Sequence, residues 1–324
     1  GYQIMTNNKI IFWASDFSHK SGEGKLGRLF INKLKKFKKN NKVTLIKSVF
    51  TKNNNNTNKL FFSSWIHKYF GPIYGIIKLW FFFLQGWKTC YVNYLPLWNF
   101  IIFLFLPPKT ILGPITGSIL KEENIFLKKI LEQISIIIIK VRFKNLLFSN
   151  NFYQNTFKQS THNFILADFI IAKIKKKKKY DFIFYIRNEF YKKNIFFQIL
   201  IKNLLKLNFK IATIGDKIQT DNIVNFGYCD NKKAIKVISL CKYAIGNKEN
   251  LYSFFVQDCL KHNLTVFYNR EFTKFESFKF NNFHPIVFNN HKVALRQILS
   301  KIKKKTKTNH FNRMKFDSYF KNII

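Results

Sequence analysis

Acidic residues are scarce in this 324-residue sequence: 16 Asp and Glu stand against 56 Lys and Arg, a formal net charge of +40. Such an imbalance points to polyanionic surroundings, either nucleic acid or an anionic membrane face. A plainer source is codon composition, because Lys, Asn, Ile and Phe dominate, all have A/T-rich codons, and Lys greatly outnumbers Arg. Solvated lysine faces would then arise on almost any fold. The shortage of acids is harder to explain that way and keeps a membrane surface in view. Cysteine is rare too. Cys90, Cys229, Cys241 and Cys259 form no C-x-x-C pair and no zinc spacing with the seven histidines, so they read as small core residues of a reducing compartment. Long apolar runs are missing as well. Segments 75–87 and 95–108 each fall short of the ~18–20 apolar residues a spanning helix needs, and the first carries Lys78. They read as buried helices or as an amphipathic surface resting on a bilayer, with Trp, Tyr and Lys at the interface. The run 9–15 is too short and too close to the start for a signal peptide, and none is expected.

What is present is a core. Hydrophobic residues make up 47% of the chain, which excludes a disordered basic tail and suits two domains of about 150 residues each. Short apolar runs at 9–15, 42–46, 88–94, 109–113 and 144–150 read as strands. Helical spacing follows the first of them, at Leu26, Leu29, Phe30 and Leu34, and returns at 121–140. A second half repeats the alternation, with strands at 180–186, 209–215, 222–227, 242–246 and 264–268 and helices at 193–207, 231–240 and 251–261. Strands alternating with helices predict parallel sheets covered on both faces. The lysine-rich segment 172–180 separates the halves. The expected fold is α/β, two doubly wound Rossmann-like domains facing a cleft. Residues 1–172 would form the first domain, 173–305 the second, and 306–324 a tail packing back on the first.

In such folds ligands sit beyond the carboxyl ends of strands, and that is where the informative loops fall. After strand 180–186, Arg187 and, five residues on, Lys192 precede a helix whose free amides would complete a diphosphate site. After strand 242–246 comes "GNKENLYSFFVQDCL" (246–260). Here Glu249 and Asn250 leave the strand, Ser253 is placed to cap a helix, and the amides around Ser253, Phe254 and Phe255 can receive phosphate. Asp258, one turn further, can hold a ribose diol, and Glu249 can hold sugar hydroxyls. The glycine loop "SGEGKLGR", with Gly22, Gly24 and Gly27, would admit close backbone approach but is neither G-x-G-x-x-G in register nor a P-loop. Asp16, His19 and Glu23 are candidate general bases for an inverting reaction. No D-x-D metal motif is present.

This constellation resembles the GT-B glycosyltransferases, especially the retaining group with an E-x7-E motif. In that group a strand ends in Gly-Arg with a Lys five residues on, matched by Arg187 and Lys192. The turn and helix carrying the two acids align with 250–258. Asn250 then stands at the first acidic position, with Glu249 one residue early, and Asp258 stands at the second. "TIGD" (213–216), with Gly215, and "GPITG" (113–117), with Gly113, Thr116 and Gly117, resemble further family loops on the donor side and the acceptor or phosphate side. The resemblance implies a metal-independent hexosyl or glycosyl transferase with no cofactor, using a UDP- or GDP-linked sugar as co-substrate, with 1–172 as the acceptor side and 173–305 as the nucleotide-sugar side. Its acceptor would be a glycan or a lipid-linked, membrane-proximal molecule, as in surface polysaccharide or lipopolysaccharide synthesis. The corresponding location is cytoplasmic and peripheral on the inner face of the cell membrane, with an anionic membrane surface as a further partner and no nucleic acid expected. Two other classes stay open: a basic nucleic-acid-binding protein, for which no helix-turn-helix or RNP-like motif is seen, and a non-catalytic GT-B relative, for which Asn250 is the hint.

Overall fold

Alternating apolar runs and amphipathic segments give strands and helices that strictly alternate over most of the chain. A computed structural model describes residues 9–14, 22–37, 43–47, 64–95, 97–115, 125–148, 152–153, 156–157, 161–163, 177–187, 195–246, 250–276 and 279–303. The chain divides into two compact units.

The first unit holds a parallel sheet ordered β2-β1-β3-β4-β5-β6. Its strands are β1 (Ile10–Ala14), β2 (Val43–Lys47), β3 (Lys88–Leu95), β4 (Ile111–Ile115), β5 (Leu146–Phe148) and β6 (Thr161–Asn163). Every residue of β1, β4 and β5 is buried, as expected of strands covered on both faces. Helix α1 (Gly22–Phe37) connects β1 to β2. Helices α2 (Ser64–Leu84), α3 (Phe100–Phe105) and α4 (Ile125–Arg142) make the next three crossovers. The strand order steps in one direction from β2 onward, so the right-handed crossover rule puts α2, α3 and α4 on one face of the sheet. Their inner residues Leu79, Phe103, Ile136 and Ile139 share one core with Ile11, Trp13 and Tyr91. Trp13 and Tyr91 stack at 4.8 Å, and a Cβ at Gly75 would collide with the Trp13 indole. That glycine lets α2 lie directly on the sheet.

The second unit holds a parallel sheet ordered β12-β11-β10-β7-β8-β9. Its elements are β7 (Tyr180–Ile186), α5 (Ile195–Lys206), β8 (Ile211–Gly215), β9 (Ile223–Asn225), α6 (Asn231–Ser239), β10 (Cys241–Ile245), α7 (Phe254–Lys261), β11 (Thr265–Asn269), a 3-10 turn (Arg270–Phe275), β12 (Phe283–Ile286) and α8 (His291–Ile302). The central strands bury Phe182, Phe184, Ile245 and Phe267 against α5 and α8, where Phe196 stacks on Phe288 at 5.0 Å. Side-chain caps start three of these helices. Asp230 accepts from Lys233 N, Ser253 from Val256 N, and Asn290 from Lys292 N and Val293 N.

Several sequence expectations need correction. The glycine loop does not extend through Gly27: the helix begins at Gly22, so Gly24, Gly27 and Arg28 lie within α1, where Gly24 and Gly27 are buried beside Leu26. Small residues there permit close helix packing. "GPITG" does not stop the fourth strand, because Gly113, Pro114 and Ile115 belong to β4, with a cis peptide between Gly113 and Pro114. A Cβ at Gly113 would overlap the Leu147 side chain, so this glycine serves strand packing. Segment 95–108 yields a helix of only 6 residues, whereas α2 reaches 21 with Pro72 inside it. Strands β6 and β12, the 3-10 turn and α8 go beyond the sequence reading. The end of the lysine-rich segment is structural: Lys178 donates to the Ser239 carbonyl and Tyr180 opens β7. Burial lowers the Lys178 pKa. The tail at 306–324 lies outside the described residues. Cys90, Cys241 and Cys259 are buried, Cys229 is half-buried, and all four are free thiols. Burial pushes the Cys241 thiol up to about 12, as befits an inert core residue.

Candidate functional site

A doubly wound sheet has one point where successive crossovers depart in opposite directions, and the strand ends there leave an open crevice. In the second unit that point lies between the neighbours β7 and β10: the chain leaves β7 toward β8 and leaves β10 toward β11. The strands are parallel, with Ile245 paired to Phe184, so both deliver their following loops to the same edge. Arg187 follows β7 directly, and Asn250 to Ser253 lead from β10 into α7. The sheet therefore places two of the sequence-selected segments at one crevice.

On the β10 side the backbone is shaped by short side-chain contacts. Gly246 N donates to the Phe267 carbonyl at 2.7 Å. Asn250 Oδ1 accepts from Tyr252 N at 3.1 Å, closing an Asx turn that buries Leu251 and Tyr252. Ser253 Oγ accepts from Val256 N at 3.3 Å, and Gln257 Nε2 donates to the Tyr252 carbonyl at 2.6 Å, tying the turn to the helix. Helix α7 starts at Phe254, three residues later than its apolar pattern predicts, because this turn takes up 250–252. Phe254 and Asp258 are half-buried on it. The positive end of the helix and its first amides are thus held at the strand edge.

On the β7 side Arg187 is exposed, with its guanidinium 5.8 Å from the Tyr185 ring centre, and Tyr185 lies 5.9 Å from Phe255 in the first turn of α7. Gly215 ends β8 at φ 96°, its N–H donating to the Gly227 carbonyl, while Asp216 N donates to the Ile186 carbonyl at 3.0 Å. A side chain at Gly215 would strike that same carbonyl. The turn sets Asp216 near Tyr228, and interaction with the Asp216 carboxylate is the first cause of the raised Tyr228 pKa, while the nearby Arg187 pulls the other way. Sequence reasoning missed Tyr185, Asp216 and Tyr228. Only Asp216 had a signal, as the residue after Gly215.

Arg187, Gly215, Asn250, Ser253, Phe254 and Asp258 are therefore all on the carboxyl-end side of the second sheet or on the helix that follows it. Gly22 and Gly24 open α1 after β1 in the first unit, and Gly113 is inside β4. Asp16, His19, Thr116, Gly117, Lys192 and Glu249 lie outside the described residues. Among the described residues, no group of three or more His, Cys, Asp and Glu side chains could hold a metal ion.

No protein-family model and no curated protein matches this sequence. Solved structures do match in shape. A Methanocaldococcus jannaschii UDP-GlcNAc 2-epimerase, solved with UDP-GlcNAc and UDP, superposes with a TM-score of 0.55 at 9% identity, covering 97% of this chain and 98% of that one. The lipopolysaccharide outer core galactosyltransferase WaaB, in its apo form, gives 0.54 at 10% identity over 97% and 98%. Anabaena HepE with UDP gives 0.53 at 11% identity over 97% and 93%. At such identities the likeness speaks to architecture, and with the two all-parallel sheets it establishes the fold: two Rossmann-like units of the GT-B class.

Proposed function

We propose that the protein is a glycosyltransferase that takes a sugar from a nucleoside diphosphate sugar bound at the β7/β10 crevice. The observation that carries this reading is the convergence of Arg187 and the capped amino end of α7 at the switch point of the second sheet. A guanidinium and the first amides of a helix are what a diphosphate leaving group requires: they neutralise charge that grows as the glycosidic bond breaks. In this reading Arg187, Lys192 and the amides at Ser253 and Phe254 hold the diphosphate, Asp258 holds the ribose diol, and Gly215 shapes the loop over the nucleoside. These cations and the helix dipole would make a bound metal unnecessary. Exposed Tyr228, near Asp216, offers a ring for the base to stack on.

Glu249 is assigned to the sugar hydroxyls. Asp16 and His19, following β1, are assigned as candidate general bases on the acceptor side, with Gly22, Thr116 and Gly117, while Gly24 is buried within α1. Gly22 acts there as the first residue of α1, offering amides, and no longer as part of an open loop. Gly113 keeps only its packing contact. The epimerase and HepE were solved with UDP, which favours UDP over GDP as the nucleotide. The motif spacing favours the retaining E-x7-E group. The acceptor would be a glycan or lipid-linked molecule near a membrane, in surface polysaccharide or lipopolysaccharide synthesis, and the protein peripheral on the inner face of the cell membrane.

One observation favours a second reading, a non-catalytic relative: Asn250 stands at the first acidic position, and its Oδ1 is committed to the backbone turn. Calorimetric titration with UDP and GDP, on the wild type and on Arg187→Ala and Asp258→Ala, tests the site. The expected result is saturable UDP binding weakened ~10- to 100-fold by each substitution, as loss of a charge-assisted contact implies. Equal binding by both variants would remove the donor site from this crevice. Tight UDP binding with no transfer or hydrolysis from any UDP-sugar would select the non-catalytic relative.

A further inference from the structure

Helices on the outside of an α/β sheet ordinarily carry one apolar stripe, facing the sheet, and a polar outer face. In the first unit α2 and α4 carry two. On α2 the inner stripe is Gly71, Gly75 and Leu79, all buried. Opposite it, at spacings of three and four, Phe70, Ile73, Ile77, Phe81 and Leu84 are exposed, Leu84 by 77%. On α4 the inner residues are Ser135, Ile136 and Ile139, whereas Phe126, Ile130, Ile134, Ile137 and Val141 form an exposed stripe, Val141 by 81%. Ile101, Leu104 and Phe105 continue the exposed surface on α3.

These stripes belong to one surface. The three helices share a face of the sheet, Trp80 Nε1 of α2 donates to the Phe105 carbonyl of α3 at 2.7 Å, and Arg142 of α4 donates to the Leu106 carbonyl at 2.6 Å. Where they meet, an open pocket of about 510 Å³ joins an apolar wall of Trp80, Leu104 and Phe105 to Lys109, Arg142 and Lys144. Scattered surface Leu and Ile need no explanation, but a contiguous apolar face of this extent marks an interaction surface.

Its charge says what covers it. Helices α2 and α3 contain no acidic residue. Glu132 is the acidic residue of α4, and it faces Tyr153, whose pKa it helps to raise, on the side away from the exposed stripe. Cations border the apolar stripes: Lys78 reaches over the Phe81 ring at 5.9 Å, and Lys129 and Lys140 flank the outer stripe of α4. A second copy of this chain would bring the same cations face to face with no carboxylates to meet them. An apolar face edged by Lys, Arg and Trp matches a surface whose interior is hydrocarbon and whose boundary is anionic. Among the described residues no helix is long and apolar enough to cross a membrane.

We propose that the outer face of α2, α3 and α4 docks the protein on an anionic phospholipid bilayer, with the α2–α3–α4 pocket at the headgroup level. This extends the membrane-proximal acceptor of the proposed function by naming the surface, and the geometry that carries it lies wholly in the first unit. The test is flotation with phosphatidylcholine vesicles made with and without phosphatidylglycerol, with UDP titration run in parallel so that either reading can fail alone. The probes are wild type, Ile73→Gln/Ile77→Gln/Phe81→Gln on α2, Ile134→Gln/Ile137→Gln/Val141→Gln on α4, and a charge control in the second unit, Lys202→Gln/Lys206→Gln/Lys233→Gln. The expected result is wild-type flotation with phosphatidylglycerol vesicles, reduced ~10-fold or more by each apolar triple and little changed by the control. Gln favours helix, and circular dichroism verifies the fold of each variant. Four results would overturn the proposal: wild type that floats with neither vesicle, apolar variants that float like wild type, a control that loses as much as they do, or a dimer that the apolar variants dissociate while lipid binding is absent.

Discussion

Gly215 and His284 show how single residues of the second unit answer to backbone geometry and to solvent. Gly215 sits at φ 96°, and any Cβ would run into the Ile186 carbonyl oxygen, a backbone atom that cannot swing away. Gly215→Ala is expected to cost ~2 kcal/mol or more in urea unfolding, from the positive φ and the collision together. A loss below ~0.5 kcal/mol would mean that the turn relaxes and does not hold Asp216 in place. His284, half-buried on β12 with its ring 6.0 Å from that of Phe267, has its pKa lowered, first by burial and then by Lys301. The unfolded chain therefore binds the proton more readily than the folded one. The associated stability is fully present above the unfolded value of ~6.5 and is lost as pH falls through the lowered folded pKa. Denaturation midpoints should decline from pH 7.5 toward pH 5, and His284→Leu should flatten the part of the decline nearest pH 6. An unchanged slope in that variant would assign the loss to other groups.

At the scale of elements, caps and strand edges decide both stability and what the sequence discloses. Ser253 caps α7 through Val256 N, and losing that bond in Ser253→Ala is expected to cost ~1 kcal/mol. If the amino end of α7 also receives phosphate, the same substitution lowers UDP affinity, whereas Asn290→Ala at the cap of α8 costs similar stability and leaves UDP binding alone. Equal effects of the two on UDP would detach α7 from the site. Ser253 was legible as a cap because a small hydroxyl residue stands directly before Phe254, Phe255 and Val256, although the apolar pattern put the helix start at 251. The central strands were legible for a similar reason: "YDFIFYI" and "IATIG" are short apolar runs bounded by polar loops. The edge strands β6 and β12 were not, since "THN" and "FHPI" carry polar residues or Pro where a buried strand would carry none. The glycines of "SGEGKLG" read as a loop by propensity, but tertiary packing overrode it, burying Gly24 and Gly27 in α1. Tyr228 was illegible because its place beside Asp216 comes from a β8–β9 connection that no local pattern encodes.

For the whole molecule the dominant physical fact is charge. With 56 cationic and 16 acidic side chains, one-to-one pairing would still leave 40 cations without a carboxylate, so repulsion summed over the surface opposes the compact state. Individual ion pairs such as Lys242–Asp181 at 2.8 Å are half-exposed and contribute little against it. The Debye length falls from roughly 20–30 Å near 0.01–0.02 M salt to below ~5 Å at 0.5 M. Screening therefore removes more repulsion than attraction. The thermal midpoint should rise by a few degrees (about 1 kcal/mol of stability) between ~0.02 and ~0.5 M NaCl. Sodium sulfate at equal ionic strength should raise it further through surface exclusion. A protein held together by surface ion pairs would show the opposite sign, and a falling midpoint would sink this account of the charge. The same salt series separates two kinds of ligand. Adsorption to a random oligonucleotide would collapse with added salt as counterions reclaim the phosphates. UDP bound by Arg187 and the amides of α7 carries few charges and should lose only a small part of its affinity. Strong oligonucleotide binding that persists at 0.5 M NaCl would revive nucleic acid as the partner of the lysine surface.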